Sequence, residues 1–214
     1  MGRFFTSFDE AWEFFLERRD DLEDFFARFP VDDELALGWL LPLSPKLRPA
    51  AREVQRSLAR LEWVTLLQES FLHVWLSDVA FAAHRPTADE IASAVEGAEH
   101  AWAGVEPFDL RYPRINCFHD GVVVEVEGDG PRRLVSRLVE AGASRVPLET
   151  FLPHVTLGVF NRPHEPALLR QVLVPRGETA LGEQRVREAI LCLIPASRTT
   201  ILEPWEVVGS VAFG

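Results

Sequence analysis

The chain has 214 residues, 47% of them hydrophobic and 26% charged, a composition that excludes disordered and fibrous classes and suffices for one substantial folded unit. A formal net charge of −11 excludes broad capture of duplex nucleic acid, which needs a basic face to neutralise many phosphates. The acids crowd the start: residues 1–34 hold eleven acids against four bases.

Cys117 and Cys192 lie in apolar segments and read as reduced core residues rather than a disulfide framework. Asp9, Glu10 and Glu13 interrupt the apolar run that a secretory signal needs, and no other run approaches a membrane span. The expected location is therefore cytoplasmic, with no membrane partner. Lys46 is the single lysine beside 21 arginines, a bias that points to a GC-rich bacterial source.

In chain order, residues 7–28 predict an acidic amphipathic helix. Ser7 and Glu10 form a capping box, Phe8, Trp12, Phe15, Leu22, Phe26 and Phe29 recur at three- and four-residue intervals, and Pro30 is the stop signal. The aromatic stripe is expected to cover apolar surface of the same chain, with self-association through this helix as the alternative. Residues 1–34 thus read as a helical extension and 35–214 as a two-lobed domain. Leu35 to Leu43 predicts a strand, Ser44 to Arg60 a helix, Trp63 to Val79 a strand pair or one long bent strand, and Thr87 to Trp102 a helix capped by Thr87 with Glu90. Phe108 to Phe118 and Val122 to Glu127 read as a hairpin across His119-Asp120-Gly121, followed by a helix from Pro131 to Ala141. His154 to Phe160 is a strand, His164 to Val172 a short helix, and Val186 to Ile194 with Thr200 to Phe213 are closing strands. Mixed order without a regular βαβ rhythm gives an α+β fold.

The informative feature is an internal repeat. Glu69-Ser70-Phe71-Leu72-His73-Val74-Trp75-Leu76 matches Glu149-Thr150-Phe151-Leu152-Pro153-His154-Val155-Thr156-Leu157 once Pro153 is taken as an insertion. Each copy ends in a strand-like segment preceded by a helix, so two related lobes each present one histidine. A pseudo-two-fold axis then makes the histidines face each other. Because a strand has a side-chain period of two, His154 and Thr156 share one face while Val155 and Leu157 are buried behind them. Two facing imidazoles can remove a proton on one side of a phosphorus and return one on the other.

These residues resemble the two-histidine (2H) phosphoesterase superfamily, the group of bacterial 2'-5' RNA ligase and RNA 2',3'-cyclic phosphodiesterase proteins. The resemblance rests on His-Val-Trp-Leu at 73–76, His-Val-Thr-Leu at 154–157, and Ala-Ser-Arg at 196–198, and spans roughly residues 35–214. It implies a pseudo-symmetric, LigT-like fold, His73 and His154 as the catalytic acid and base, and Thr156 as a phosphate ligand, with no cofactor and no metal. The first motif departs from the family pattern, since Trp75 stands where the hydroxyl residue belongs. That departure makes a catalytically impaired binder of a nucleotide or a protein the alternative to an enzyme. The implied partner is a small nucleotide or a single-stranded RNA end.

Further expected substrate contacts are Arg162, beyond the second histidine strand, Arg198 in the closing hairpin, and the aromatic residues Trp39, Trp75 and Phe151 as surfaces for a base. Zinc-ligand spacings, a phosphate loop and a Gly-x-Ser-x-Gly elbow are absent from the sequence; Gly128-Asp129-Gly130 reads as an ordinary turn.

Overall fold

Apolar periodicity organises the chain into ten strands and five α-helices among the described residues, which in this computed structural model are 5–29, 34–82, 84–203 and 205–214. They are α1 (Phe8–Glu17), β1 (Leu35–Pro42), α2 (Arg48–Leu58), β2 (Val64–Leu66), β3 (His73–Ala82), α3 (Ala88–Ala101), β4 (Phe108–Tyr112) and β5 (Ile115–Cys117). Then follow β6 (Gly121–Glu125), α4 (Gly130–Glu140), β7 (His154–Phe160), α5 (Ala167–Leu173), β8 (Gly182–Val186), β9 (Glu188–Pro195) and β10 (Glu206–Ala212).

An eight-stranded antiparallel sheet runs β10-β9-β1-β3-β7-β6-β5, with β2 also paired to β7. Its two halves meet at the rung Val74↔Val155 between β3 and β7. Side-chain alternation sends Val74, Leu76, Val155 and Leu157, all at most 1% exposed, into the main core. Helices cover that face, α4 against β3 and α2 against β7. Gln55, buried on α2, donates from its amide to the carbonyls of Leu67 and Leu157, both at 2.8 Å, which satisfies backbone groups where β2 and β7 run together. The opposite face of β3 and β7 therefore carries His73, Trp75, His154 and Thr156.

Several sequence expectations need correcting. The helix predicted over residues 7–28 ends at Glu17, and a single 3-10 turn at Phe25–Arg28 follows. The cause is tertiary: the N–H groups of Leu22 and Glu23 donate to the carbonyls of His164 and His119, each at 2.8 Å, in place of helical bonds. Pro30 lies outside the described residues. Ser7 does cap α1, accepting from the Glu10 N–H at 3.1 Å. The apolar stripe is buried within the chain, with Ala11, Phe15 and Leu22 at most 2% exposed and α1 laid on the edge strand β5. The stripe thus covers apolar surface of the same chain, as expected, with Phe8, Trp12, Phe26 and Phe29 partly exposed.

Pro113, which has no N–H to donate, separates β4 from β5; β4 keeps one bridge to the expected hairpin, Arg111↔Glu127, and pairs along its length with β8 in a separate ribbon. The Trp63–Val79 segment is two strands parted by a 3-10 turn at Glu69–Phe71. His164 pairs with Leu22 instead of opening a helix, and α5 starts at Ala167. The Thr87–Glu90 capping box forms as expected, and both cysteines are free and buried.

Candidate active site

β3 and β7 each begin with a histidine, and antiparallel pairing brings the two to one face of the sheet, diagonal to each other across the Val74↔Val155 rung. Continuing the Val74↔Val155 register by one residue each way sets His73 across from Thr156 and His154 across from Trp75. Directly opposed side chains of this kind are about 5 Å apart at Cβ. The Nδ1 atom of His73 bonds the Phe71 carbonyl at 2.5 Å, and that of His154 bonds the Leu152 carbonyl at 2.7 Å. A carbonyl only accepts, so each Nδ1 is the donor and each neutral ring keeps its lone pair on Nε2. Both bonds reach back two residues. Leu152 is therefore the structural counterpart of Phe71, and the sequence match of Phe71 with Phe151 across an inserted Pro153 is not kept in three dimensions.

Each imidazole also meets an aromatic edge to face: Trp205 lies 4.6 Å from His73 and Phe118 lies 4.8 Å from His154 between ring centres. Burial pushes the His73 pKa down to about 4, opposed by the Phe71 carbonyl and reinforced by the charge of His154. Burial likewise lowers His154, opposed by the Leu152 carbonyl and the Asp120 carboxylate, while Arg28 adds to the lowering. Both rings are neutral at pH 7 in the free protein.

A cleft of about 500 Å³ opens over this face, with His154, Trp75, Phe118 and Phe151 among its lining. His73 stands beside the lining, its ring 5.9 Å from that of Trp75. The Trp75 indole lies flat across β1, where a Cβ on Gly38 would come within 2.3 Å of it. It packs on a small apolar cluster that includes Ala36, Leu40 and Ile194. Ser77, also on β3, is fully buried and hydrogen-bonded to the Asp78 carbonyl and the Ser144 hydroxyl, so it supplies no hydroxyl to the cleft.

The other expected contacts divide. Phe151 lines the cleft on a loop that Arg132 holds through the Leu148 and Phe151 carbonyls. Arg198 reaches the rim, paired at 3.1 Å with Asp24, which does line the cleft. Trp39 must be corrected: it is 1% exposed, on the core face of β1, edge to face with Trp102 at 4.9 Å. Arg162 must be corrected too. It is exposed in the bend past Phe160, the far end of β7, which is six residues and so about 20 Å along the strand from His154.

The sequence reading missed the wall opposite. Phe5, Glu23, Asp24 and Arg28 from the N-terminal arm, with His119 and Asp120 from the β5–β6 turn, complete the cleft. No repeat marks them, since they come from segments present once. The arm is moored by a polar network in which Arg114 joins Asp9 to Glu125, and Asn116 donates to Glu125 at 2.7 Å and to the Phe8 carbonyl at 2.8 Å. Among the described residues, no cluster of three or more histidine, cysteine or acidic side chains could hold a metal ion.

The family model of the 2'-5' RNA ligase superfamily matches residues 66–192, which include both histidine motifs. The chain belongs to that superfamily. No curated protein matches by sequence. Among solved structures, TT0787 of Thermus thermophilus superposes with a TM-score of 0.64 at 18% identity, covering 83% of this chain and 97% of that one. E. coli LigT complexed with 3'-AMP gives 0.60 at 16% identity, covering 85% and 99%. The ATU0111 protein of Agrobacterium tumefaciens gives 0.62 at 15% identity, covering 88% and 91%. The fold is thus the LigT-like 2H phosphoesterase fold, a mixed α+β arrangement around an antiparallel sheet. No helix among the described residues is long and apolar enough to cross a membrane.

Proposed function

We propose that the protein is a metal-independent phosphodiesterase acting on a 2',3'-cyclic phosphate or a 2',5'-linked nucleotide at a small or single-stranded RNA end, within the bacterial cytoplasm. The observation that carries this reading is the pair of imidazoles at the start of adjacent strands, both held by the same backbone device with Nε2 free. The surroundings of the two rings support one division of the work between them. His73, lowered to about 4, stays neutral and takes the proton from the attacking water. His154, whose lowering is opposed by the Asp120 carboxylate, donates a proton to the departing ribose oxygen. A new P–O bond to water forms as the bond to the ribose oxygen breaks, and the product is a phosphate monoester. The Thr156 hydroxyl donates to a non-bridging oxygen.

Turnover of a nucleoside 2',3'-cyclic phosphate by the full chain in a chelator tests this. Activity that survives chelation and disappears in both His73→Ala and His154→Ala supports the reading; activity that needs an added divalent ion, or persists in either variant, overturns it. Trp75 supports a second reading, a weakened relative that binds nucleotides without turning them over, because it stands opposite His154 where the other copy has a hydroxyl. Saturable nucleotide binding with no turnover is the outcome that selects it.

A further inference from the structure

The cleft is poor in positive charge for a site that must hold a phosphodiester. Three carboxylates, Glu23, Asp24 and Asp120, line it. Each is set against a cation: Glu23 lies 3.6 Å from Arg18, Asp24 3.1 Å from Arg198 and Asp120 2.6 Å from Arg28. The three arginines differ in availability. Arg18 is 8% exposed, and its N–H groups are spent on the carbonyls of Asp20 and Asp21 and on His119. Arg198 stands at the rim, outside the lining. Arg28 lines the cleft with His154 and is 57% exposed. Its guanidinium sits over the Phe25 ring at 4.2 Å and the Phe29 ring at 5.3 Å, which fixes its plane without using its donors.

We infer that Arg28, carried by the N-terminal arm, is the phosphate-anchoring residue of this cleft, and that a phosphoryl group binds by displacing Asp120 from it. The inference rests on the phosphodiester reading of the site and adds a residue and a binding mode to it. A guanidinium presents paired N–H groups that match two phosphoryl oxygens as well as they match a carboxylate, so the exchange conserves its hydrogen bonds. Arg28 also offsets the missing hydroxyl of the first motif, since a charge-assisted contact from the arm replaces a neutral one from Trp75's position. The arm is then part of the binding site and not only a cover for the edge strand β5.

The test is equilibrium binding to the full chain, with adenosine 3'-monophosphate and inorganic phosphate as probes and adenosine as the control without phosphate. Arg28→Met should weaken both phosphate-bearing probes by about ten- to a hundred-fold and leave adenosine unchanged, and Arg28→Lys should recover part of the loss. Asp120→Asn removes the competing carboxylate and should tighten both phosphate probes several-fold. Binding by a folded Arg28→Met protein within two-fold of wild type overturns the inference. If Arg28→Met fails to fold, Asp120→Asn decides, and unchanged or weaker phosphate binding there overturns it. Arg28-dependent binding in a protein that does not turn over cyclic phosphate removes the enzymatic reading alone. Turnover and phosphate binding that are both insensitive to Arg28 remove the anchor alone.

Discussion

The two halves of the site share a backbone device and differ most tellingly at one side chain. His73 and His154 start equivalent strands, reach back two residues to a carbonyl, and each meet an aromatic ring edge to face, Trp205 and Phe118. Two positions further on, one copy has Thr156 and the other has Trp75, whose indole is committed to the surface of β1 over Gly38. The comparison separates two jobs that a symmetric site combines. In the proposed reaction, proton transfer needs the imidazoles, which both halves have; phosphate holding needs donors, and these are asymmetric.

The largest expected effect breaks what the halves share: His73→Ala or His154→Ala should each lower turnover of a nucleoside cyclic phosphate by about 10²–10⁴-fold in a steady-state assay, the range of lost general acid–base catalysis. Next is the half that kept its hydroxyl. Thr156→Ala should reduce kcat/KM by about ten- to a hundred-fold, with near-normal melting because the side chain is only half-buried. Trp75→Thr sharpens the comparison by making the halves alike. It should raise turnover of a base-free cyclic phosphate by about tenfold and lower stability by about 2 kcal/mol, through the gap left over Gly38, as read by paired kinetics and thermal melts.

A separate effect, on stability rather than turnover, is pH linkage. His73 ionises near 4 in the folded chain and near its ordinary 6.5 when unfolded. Above pH 6.5 neither state takes up this proton, so the contribution of the neutral ring is fully present. As pH falls from 6.5 to 4 the unfolded chain alone binds it, and stability should decline by roughly 3 kcal/mol before levelling off. Urea titrations of the wild type and His73→Gln across that window measure the difference. The same direction of shift in both rings puts the kcat/KM optimum on the acid side of pH 6.5.

What could be read from the sequence followed physical locality. The histidine strands were legible because period-two alternation fixes which residues share a face, and the capping box at Thr87 and Glu90 marked a helix start that needs nothing distant. The N-terminal arm was misread beyond Glu17 because its helical periodicity runs on through residues whose N–H groups are claimed by His119 and His164, more than 95 positions away. Trp39 and Arg162 were misplaced for a related reason. Proximity in sequence to a site strand does not say which face a side chain takes or which end of the strand it occupies. Arg28 and Asp120 left no trace, since an ion pair between a single-copy arm and a turn has neither period nor repeat.

The Nδ1 anchors have one more consequence. Both acceptors are main-chain carbonyls, so no substitution at Phe71 or Leu152 can delete them. The tautomer of each ring is stored in chain spacing, not in side-chain identity. Such a site tolerates wholesale drift of its neighbours, in keeping with a fold shared at 15–18% identity. Its weak point is length: one residue gained or lost between the carbonyl and the ring would redirect the imidazole where no nearby point substitution can.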